Sequence, residues 1–250
     1  MSARLSVVII TLNEEERLRA CLDSVAWAEE IVVVDAESHD KTVQIAREFT
    51  DQVVVRPWPG FAEQKNFALG LATGDWLLSL DADEQVSTVL REEIRGMLRN
   101  DGACAGYAVP RRNMFLGQWI RHGGLYPDWQ VRYFRRGHGC FVARDVHESV
   151  SVDGSVGRLR GHLVHTSYRD VTDFFERANR YSTLAAEELW RGGGRTRARE
   201  LMFRPLGRFL GMYALRGGFL DGRKGLLLAA LYAYYVFMRT AKLWELTRRR

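Results

Sequence analysis

The sequence predicts an α/β fold on a mainly parallel sheet, followed by a helical extension. Three observations lead there. Short apolar runs rich in β-branched residues recur through residues 1–100, as suits strands buried on both faces of a sheet. Helical patterns lie between these runs, and strand–helix alternation implies right-handed βαβ units. Residues 192–250 are instead basic, with large apolar side chains interleaved.

In order, the predicted strands are residues 5–11 (LSVVIIT), 31–34, 53–55 and 76–80. Between the first two, residues 14–25 read as a helix with Leu18, Cys21, Leu22 and Val25 on one face. Asp40 is placed to cap a helix over 41–49. Residues 61–71 repeat the pattern, with Phe61, Phe67, Ala68 and Leu71 as the apolar face. Past residue 100 the rhythm changes. Residues 104–109, 130–135 and 158–165 read as strands, and 173–191 as a helix broken by Gly192-Gly193-Gly194.

The 250 residues are 46% apolar and 27% charged, which excludes wholesale disorder, collagen and a polytopic membrane protein. Cys21, Cys104 and Cys140 form no CxxC pair and suit a reducing compartment. The N-terminus carries no signal-peptide pattern. The net charge of +5 is uneven: residues 192–250 hold 13 Lys or Arg against Glu200, Asp221 and Glu245, a balance of +10, leaving −5 for residues 1–191. Such a split suggests a catalytic body and a basic, surface-seeking tail.

No GxGxxG follows a strand, and no GxxxxGK[ST], HExxH or GxSxG occurs. A nucleotide diphosphate would need something other than a glycine-rich cradle. Asp81-Ala82-Asp83, leaving the fourth strand, is the candidate. Two such carboxylates can approach one Mg²⁺ or Mn²⁺, whose shell phosphate oxygens commonly complete. The alternative is a solvated acidic turn. Thr11-Leu12-Asn13-Glu14 and Asp35 stand at the ends of the first and second strands. In open parallel sheets, ligands bind beyond the carboxyl ends of strands.

Four segments carry a resemblance: Ser6–Glu14 (SVVIITLNE), Val32–Thr42 (VVVDAESHDKT), Gln64-Lys65-Asn66 and Gly74–Glu84 (GDWLLSLDADE). They resemble family 2 glycosyltransferases, and more narrowly the lipopolysaccharide core glucosyltransferase-like branch. The resemblance implies a GT-A fold, a nucleotide-sugar donor (usually a UDP-sugar) and inversion at the anomeric carbon. It assigns residues 1–191 to a catalytic domain, with 1–100 the donor half and 101–191 the acceptor half, and 192–250 to the tail. Thr11, Asn13 and Glu14 match the first donor loop, Asp35 the uracil-contacting carboxylate, and Lys65 and Asn66 the basic-Asn pair near the donor. Asp81 falls near the ribose and beside the metal, Asp83 is the direct metal ligand, and His165 is an additional metal or phosphate contact. The cofactor is Mn²⁺ or Mg²⁺. Many relatives read Asp-Asp-Gly-Ser where this chain reads Asp35-Ala36-Glu37-Ser38, which leaves Glu37 without a matched role.

Inversion needs a base on the acceptor hydroxyl. Asp128, among Tyr126, Trp129 and Tyr133, is the candidate, with Glu148 beside His147 as its rival. Gln130 and Arg132 are assigned to donor phosphate or acceptor. The Arg- and Gly-rich residues 111–124 read as a loop able to close over the donor.

Residues 225–238 (GLLLAALYAYYVFM) are short for a bilayer span of roughly 20 residues. Upstream, Met202, Phe203, Leu206, Phe209, Leu210, Tyr213 and Leu215 alternate with Arg204, Arg208 and Arg216. That suits helices lying in an anionic membrane interface, rather than nucleic-acid binding; the other reading is helices packed on the body or in a dimer. The expected enzyme is cytoplasmic, peripheral on the inner membrane face. It would move glucose or a similar hexose to a lipid-linked saccharide such as lipopolysaccharide core. A polyprenyl-phosphate acceptor, a sugar nucleotidyltransferase and a non-catalytic UDP-sugar-binding scaffold are the alternatives.

Overall fold

The first strand, β1 (Leu5–Thr11), is buried along its whole length, as its unbroken apolar run requires. The computed structural model describes residues 3–100, 102–142 and 149–248. These group into two compact units, residues 1–111 with 128–165 and residues 112–127 with 166–250.

In the first unit the chain continues through α1 (Leu18–Val25), β2 (Glu30–Asp35), α2 (Thr42–Arg47), β3 (Val53–Val55), α3 (Phe61–Leu71) and β4 (Trp76–Asp81). β5 (Glu84–Val86), α4 (Thr88–Asn100) and β6 (Gly106–Phe115) follow. After a two-residue strand in the second unit, β7 (Gln118–Trp119), come β8 (Asp128–Arg135), β9 (Gly139–Val142), β10 (Ser149–Val152), β11 (Val156–Arg158) and β12 (Leu163–Thr166). The main sheet runs β3-β2-β1-β4-β8-β6-β12-β5. β1 pairs in parallel with β2 and β4, and β2 with β3, as predicted. β8 then enters antiparallel to β4, and β6 antiparallel to β8.

Alternate residues of the central strands point to opposite faces. Leu5, Val7 and Ile9 pack with Leu18, Leu22 and Val25 of α1 and Leu90, Ile94 and Leu98 of α4. Val8, Ile10, Val32 and Val34 pack with Ala68 and Leu69 of α3, Phe134 and Phe141. The sequence reading omitted α4, although Leu90, Ile94 and Leu98 recur every fourth residue.

Several expectations need correction. The helix expected from residue 14 begins at Leu18; residues 15–17 form a turn ahead of it, and the N–H groups of Asn13, Glu14 and Glu15 donate to the side chains of Ser38, Thr42 and Asp40. Asp40 does accept from Thr42 N at 2.9 Å, where α2 begins. The face of α3 is also different: Phe61, Phe67 and Leu71 are exposed, while Gln64 and Lys65 are buried. The strand expected over 158–165 is two strands, β11 and β12. Between them, the Arg160 and Gly161 N–H groups donate to the Glu93 carboxylate. The chain passes α4 so closely there that a Cβ on Gly161 would lie 2.2 Å from Leu90 Cα.

In the second unit, residues 112–120 form the far end of β6 and β7 as an antiparallel hairpin, not the expected loop. The other elements are α5 (Val171–Arg191), α6 (Glu200–Leu210) and α7 (Gly222–Leu246). Asp170 caps α5 by accepting from Asp173 N at 2.8 Å. Phe174 and Ala178 of α5 meet Leu228 and Leu231 of α7, together with Phe115 and Ile120 of the hairpin. α6 has no buried residue. It runs through a wider π-type turn at 211–215 into a short 3₁₀ turn at 218–221 and then α7. The helical segment that carries the apolar run is longer than the run itself: Gly218–Leu246 spans 29 residues and contains an 18-residue window of mean hydropathy 1.2, long and apolar enough to cross a membrane, with 33% of that window buried within the fold.

Candidate active site

Register builds the site. Thr11 pairs with Asp35 across β1 and β2, and Ile10 with Asp81 across β1 and β4. Three polar strand ends therefore stand side by side at the carboxyl edge of the parallel strands, where such sheets bind ligands. β8 runs the opposite way past β4, with Leu78 opposite Tyr133. Its first residues, Asp128 to Arg132, are thereby brought beside the same edge. β6 pairs Arg111 with Asp128.

The nucleotide-side loop is held internally. Asp35 is buried; its oxygens accept from Thr11 Oγ1 at 2.8 Å, Ser38 N at 2.8 Å and Ser38 Oγ at 2.6 Å. Asn13 Oδ1 accepts from His39 N at 2.9 Å, and Glu14 receives Arg17 Nε and Nη2, each at 2.7 Å. Asn13 and Glu37 adopt φ of +53° and +60°, conformations that cost free energy outside glycine and that cluster at functional sites.

At its centre, Lys65 Nζ lies 2.8 Å from Asp81 Oδ1. Arg132 Nη2 lies 2.5 Å from Asp81 Oδ2 and 2.9 Å from Glu84 Oε1. Arg111 reaches Glu84 at 3.3 Å and donates to Asp128 Oδ2 from Nε at 2.8 Å and Nη2 at 2.6 Å. Gln130 Nε2 donates to Asp128 Oδ1 at 2.8 Å. Carboxylates and cations thus alternate in one chain from Lys65 to Asp128. Burial acts to raise the Asp81 pKa, but Arg132 and Lys65 override it and hold the carboxyl well below the usual range. The Lys65 side chain is only 2% exposed, which a lysine tolerates when paired; this explains why α3 turns that residue inward. Asn66 exchanges two 2.8 Å hydrogen bonds with the Phe141 backbone, tying α3 to β9.

Asp83 lies 3.5 Å from His165 Nε2 and 3.8 Å from Arg17. Despite burial, these neighbours lower its pKa, with the His165 hydrogen bond the leading favourable contribution. Among the described residues no three His, Cys, Asp or Glu converge as a metal cluster. A cation here would have a carboxylate and an imidazole from the protein and would draw its remaining ligands from phosphate or water. That donor set fits Mn²⁺ or Mg²⁺ bound with a diphosphate. Asp81, by contrast, is engaged by two cationic side chains.

Asp81, Arg111, Trp129, Gln130, Arg132 and Phe141 line a cavity of about 320 Å³, within the usual size range of small-molecule sites. The structure thus gathers Lys65, Asp81, Asp128, Gln130 and Arg132 in one network. It places Asp83 with His165, and Thr11, Asn13 and Asp35 along the loop. Glu148 and His147 lie outside the described residues. Sequence reasoning missed Glu84, whose buried carboxylate joins Arg111 to Arg132, and missed Arg111 as the partner of Asp128. The available signals were an acidic residue following Asp81-Ala82-Asp83 and a basic one within a strand.

The fold, a mixed sheet whose parallel half carries this edge, is of GT-A type with a C-terminal helical extension. It is shared with Staphylococcus aureus TarS residues 1–349 in complex with UDP, at TM-score 0.51 and 16% identity over 98% of this chain and 91% of that one. It is also shared with the mannosyltransferase PcManGT from Pyrobaculum calidifontis in complex with GDP-Man and Mn²⁺, at TM-score 0.51 and 14% identity over 98% and 88%. Residues 6–151 match Glycosyl transferase family 2. The chain is 33% identical over 248 residues to the lipopolysaccharide core biosynthesis glycosyltransferase LpsC of Rhizobium meliloti (strain 1021), covering 96% of this chain and 92% of LpsC. It is 31% identical over 256 residues to an uncharacterized glycosyltransferase of Rickettsia typhi, covering 98% and 88%. The chain belongs to glycosyltransferase family 2.

Proposed function

We propose that this glycosyltransferase moves a hexose from a UDP-sugar to a lipid-linked saccharide of lipopolysaccharide core, inverting the anomeric carbon. The observation that carries the reading is the placement of Asp128, beside the cavity, in the same ion network as Asp81 at the carboxyl edge. The similarity to LpsC over nearly the whole chain supports the core acceptor.

In this reading Thr11, Asn13, Glu14 and Asp35 frame the nucleotide. Lys65 and Arg132 hold Asp81 in place, with Arg132 also lining the cavity as a cation for donor or acceptor. Asp83 and His165 hold Mn²⁺ or Mg²⁺, which when bound stabilises negative charge on the leaving diphosphate. Arg111 and Gln130 orient Asp128, which takes the acceptor hydroxyl proton as that oxygen bonds to the anomeric carbon and the bond to UDP breaks. Trp129 and Phe141 wall the cavity beside the sugar.

The C-terminal unit supports work at an anionic membrane surface. Met202, Phe203, Leu206, Leu210, Leu215, Phe219 and Leu220 are all exposed, among Arg204, Arg208 and Arg216. Bulky apolar residues with basic neighbours favour an interface position.

A donor screen tests the reading. UDP-, GDP-, CMP- and dTDP-sugars are compared by thermal shift with and without Mn²⁺ or Mg²⁺, in wild type, Asp83→Ala and Asp128→Asn, beside transfer assays on core saccharide. One UDP-sugar should stabilise wild type in a metal-dependent way that Asp83→Ala loses. Asp128→Asn should keep that stabilisation while kcat falls roughly 10²- to 10⁴-fold. Absence of both metal-dependent stabilisation and transfer with every UDP-sugar overturns it.

A further inference from the structure

The hairpin of residues 112–121 carries two arginines that no carboxylate answers among the described residues. Met114 pairs with Trp119, and Ile120 N donates to Asn113 O at 3.0 Å. One further step in that register sets Arg112 opposite Arg121, on the face that bears Trp119. Both guanidinium groups rest on its indole, at 4.2 and 4.3 Å from the ring centroid. Like charges opposite one another in a hairpin are destabilising, and no ion pair relieves either arginine among the described residues.

Two buried donors here, Trp119 Nε1 and Arg112 Nε, have no hydrogen-bond partner among the described residues. Unsatisfied buried donors are uncommon in folded proteins, and a role in holding an ion or ligand is one explanation. Beside them is an open cavity of about 370 Å³ lined by Gln118, Trp119, Arg121, His122, Leu220 and Asp221. Its one acid is already committed. Asp221 accepts from Arg121 N at 3.2 Å, His122 N at 2.8 Å and His122 Nδ1 at 3.0 Å. Tyr126 stands edge-on to Trp119 at 5.1 Å.

We infer that this pocket is a subsite for an anionic saccharide, a sugar ring bearing phosphate, on the acceptor. Arg121, in the lining, supplies planar donors that suit phosphate, and Arg112, stacked on the same indole, adds positive charge beside the pocket. Trp119 and Tyr126 supply the aromatic surface that a sugar ring packs against and a bare anion does not need. In sequence the hairpin is the connection between Arg111, which lines the catalytic cavity, and Asp128, the carboxylate Arg111 holds. The assignment to the acceptor rests on the transferase reading above, and the phosphate recognition does not.

Two measurements separate the two. In the first, intrinsic fluorescence follows titration of the full-length protein with glucose 6-phosphate, glucose, inorganic phosphate and phosphatidylglycerol vesicles. Wild type, Arg121→Gln, Arg112→Gln and Trp119→Leu are compared, with circular dichroism as the folding control. Glucose 6-phosphate should give a saturable change that glucose does not, weakened at least 10-fold in either arginine variant and absent in Trp119→Leu. Inorganic phosphate should bind more weakly than glucose 6-phosphate. Equal binding of inorganic phosphate, or vesicle binding that depends on the arginines without glucose 6-phosphate binding, overturns the saccharide assignment, as does no binding of any probe.

In the second, transfer to core saccharide is compared with transfer to the same material after phosphatase treatment. Arg121→Gln should raise the acceptor KM at least 10-fold for the phosphorylated form and little for the treated form, with kcat and donor stabilisation retained. An equal effect on both forms overturns the subsite. Wild type that binds glucose 6-phosphate but transfers nothing contradicts the transferase reading and leaves the phosphosugar site standing.

Discussion

Glu30 is an acid in the core whose environment is made for its charge. Burial alone would raise its pKa, but the Ser6 hydroxyl, the Thr73 backbone N–H, Gln52 and the Thr73 hydroxyl bring it down to about 2 from 4.5. A depressed carboxylate pKa contributes stability that is fully present above the unfolded value and lost as pH falls through the folded one. The window therefore runs from about 4.5 down to about 2, and the contribution is on the order of 2–3 kcal/mol. Urea unfolding of Glu30→Gln should show lower stability at pH 7 and a shallower acid limb than wild type; parallel limbs for the two proteins would contradict the assignment. Lys65, Asp81 and Arg132 show the same logic at the active site. Charges there survive burial because each has a partner, and removing one partner strands the other.

Helix α5 carries the second prediction. Its first turn is closed by Asp170, and Asp173 in that turn is in turn held by Arg177 Nε at 2.9 Å. Asp170→Ala should cost about 1 kcal/mol, read as a lower midpoint in chemical denaturation with the donor thermal shift intact. At this scale the sequence was legible where one face is uniformly apolar. The four parallel strands, α1 and α5 fall close to where periodicity puts them. α3 was not legible in the same way. Its phenylalanines look like a core face, yet Lys65 and Gln64 are the residues turned inward. A lysine is buried only because Asp81 waits for it on a different element, and helical periodicity contains no such information.

Across the molecule, the uneven charge noted in the sequence coincides with an exposed apolar surface on the C-terminal unit. If that unit works at an anionic membrane, the full-length protein should cosediment with phosphatidylglycerol vesicles. Replacing Phe203, Leu206 and Leu210 together by Ser should release most of it, and raising salt should weaken binding through the arginines. Undiminished cosedimentation in the triple variant would assign the apolar surface to another partner. The two compact units also divide the chain in a way no linear boundary describes, since residues 112–127 leave the first unit and group with helices that begin fifty or so residues later.

The alternation of buried strand and amphipathic helix, the polar residues at three strand ends and the basic tail are written into the chain, because each depends on neighbours a few residues away. Which cation meets which carboxylate is not. Arg132 reaches Asp81 from fifty-one residues along the chain, and Arg111 reaches Glu84 from twenty-seven. Those meetings depend on the register in which β8 inserts antiparallel beside β4 and β6 antiparallel beside β8. The backbone hydrogen bonds that set that register join distant segments. Local pattern can therefore say that a residue is buried or charged, while only the assembled sheet decides what stands opposite it.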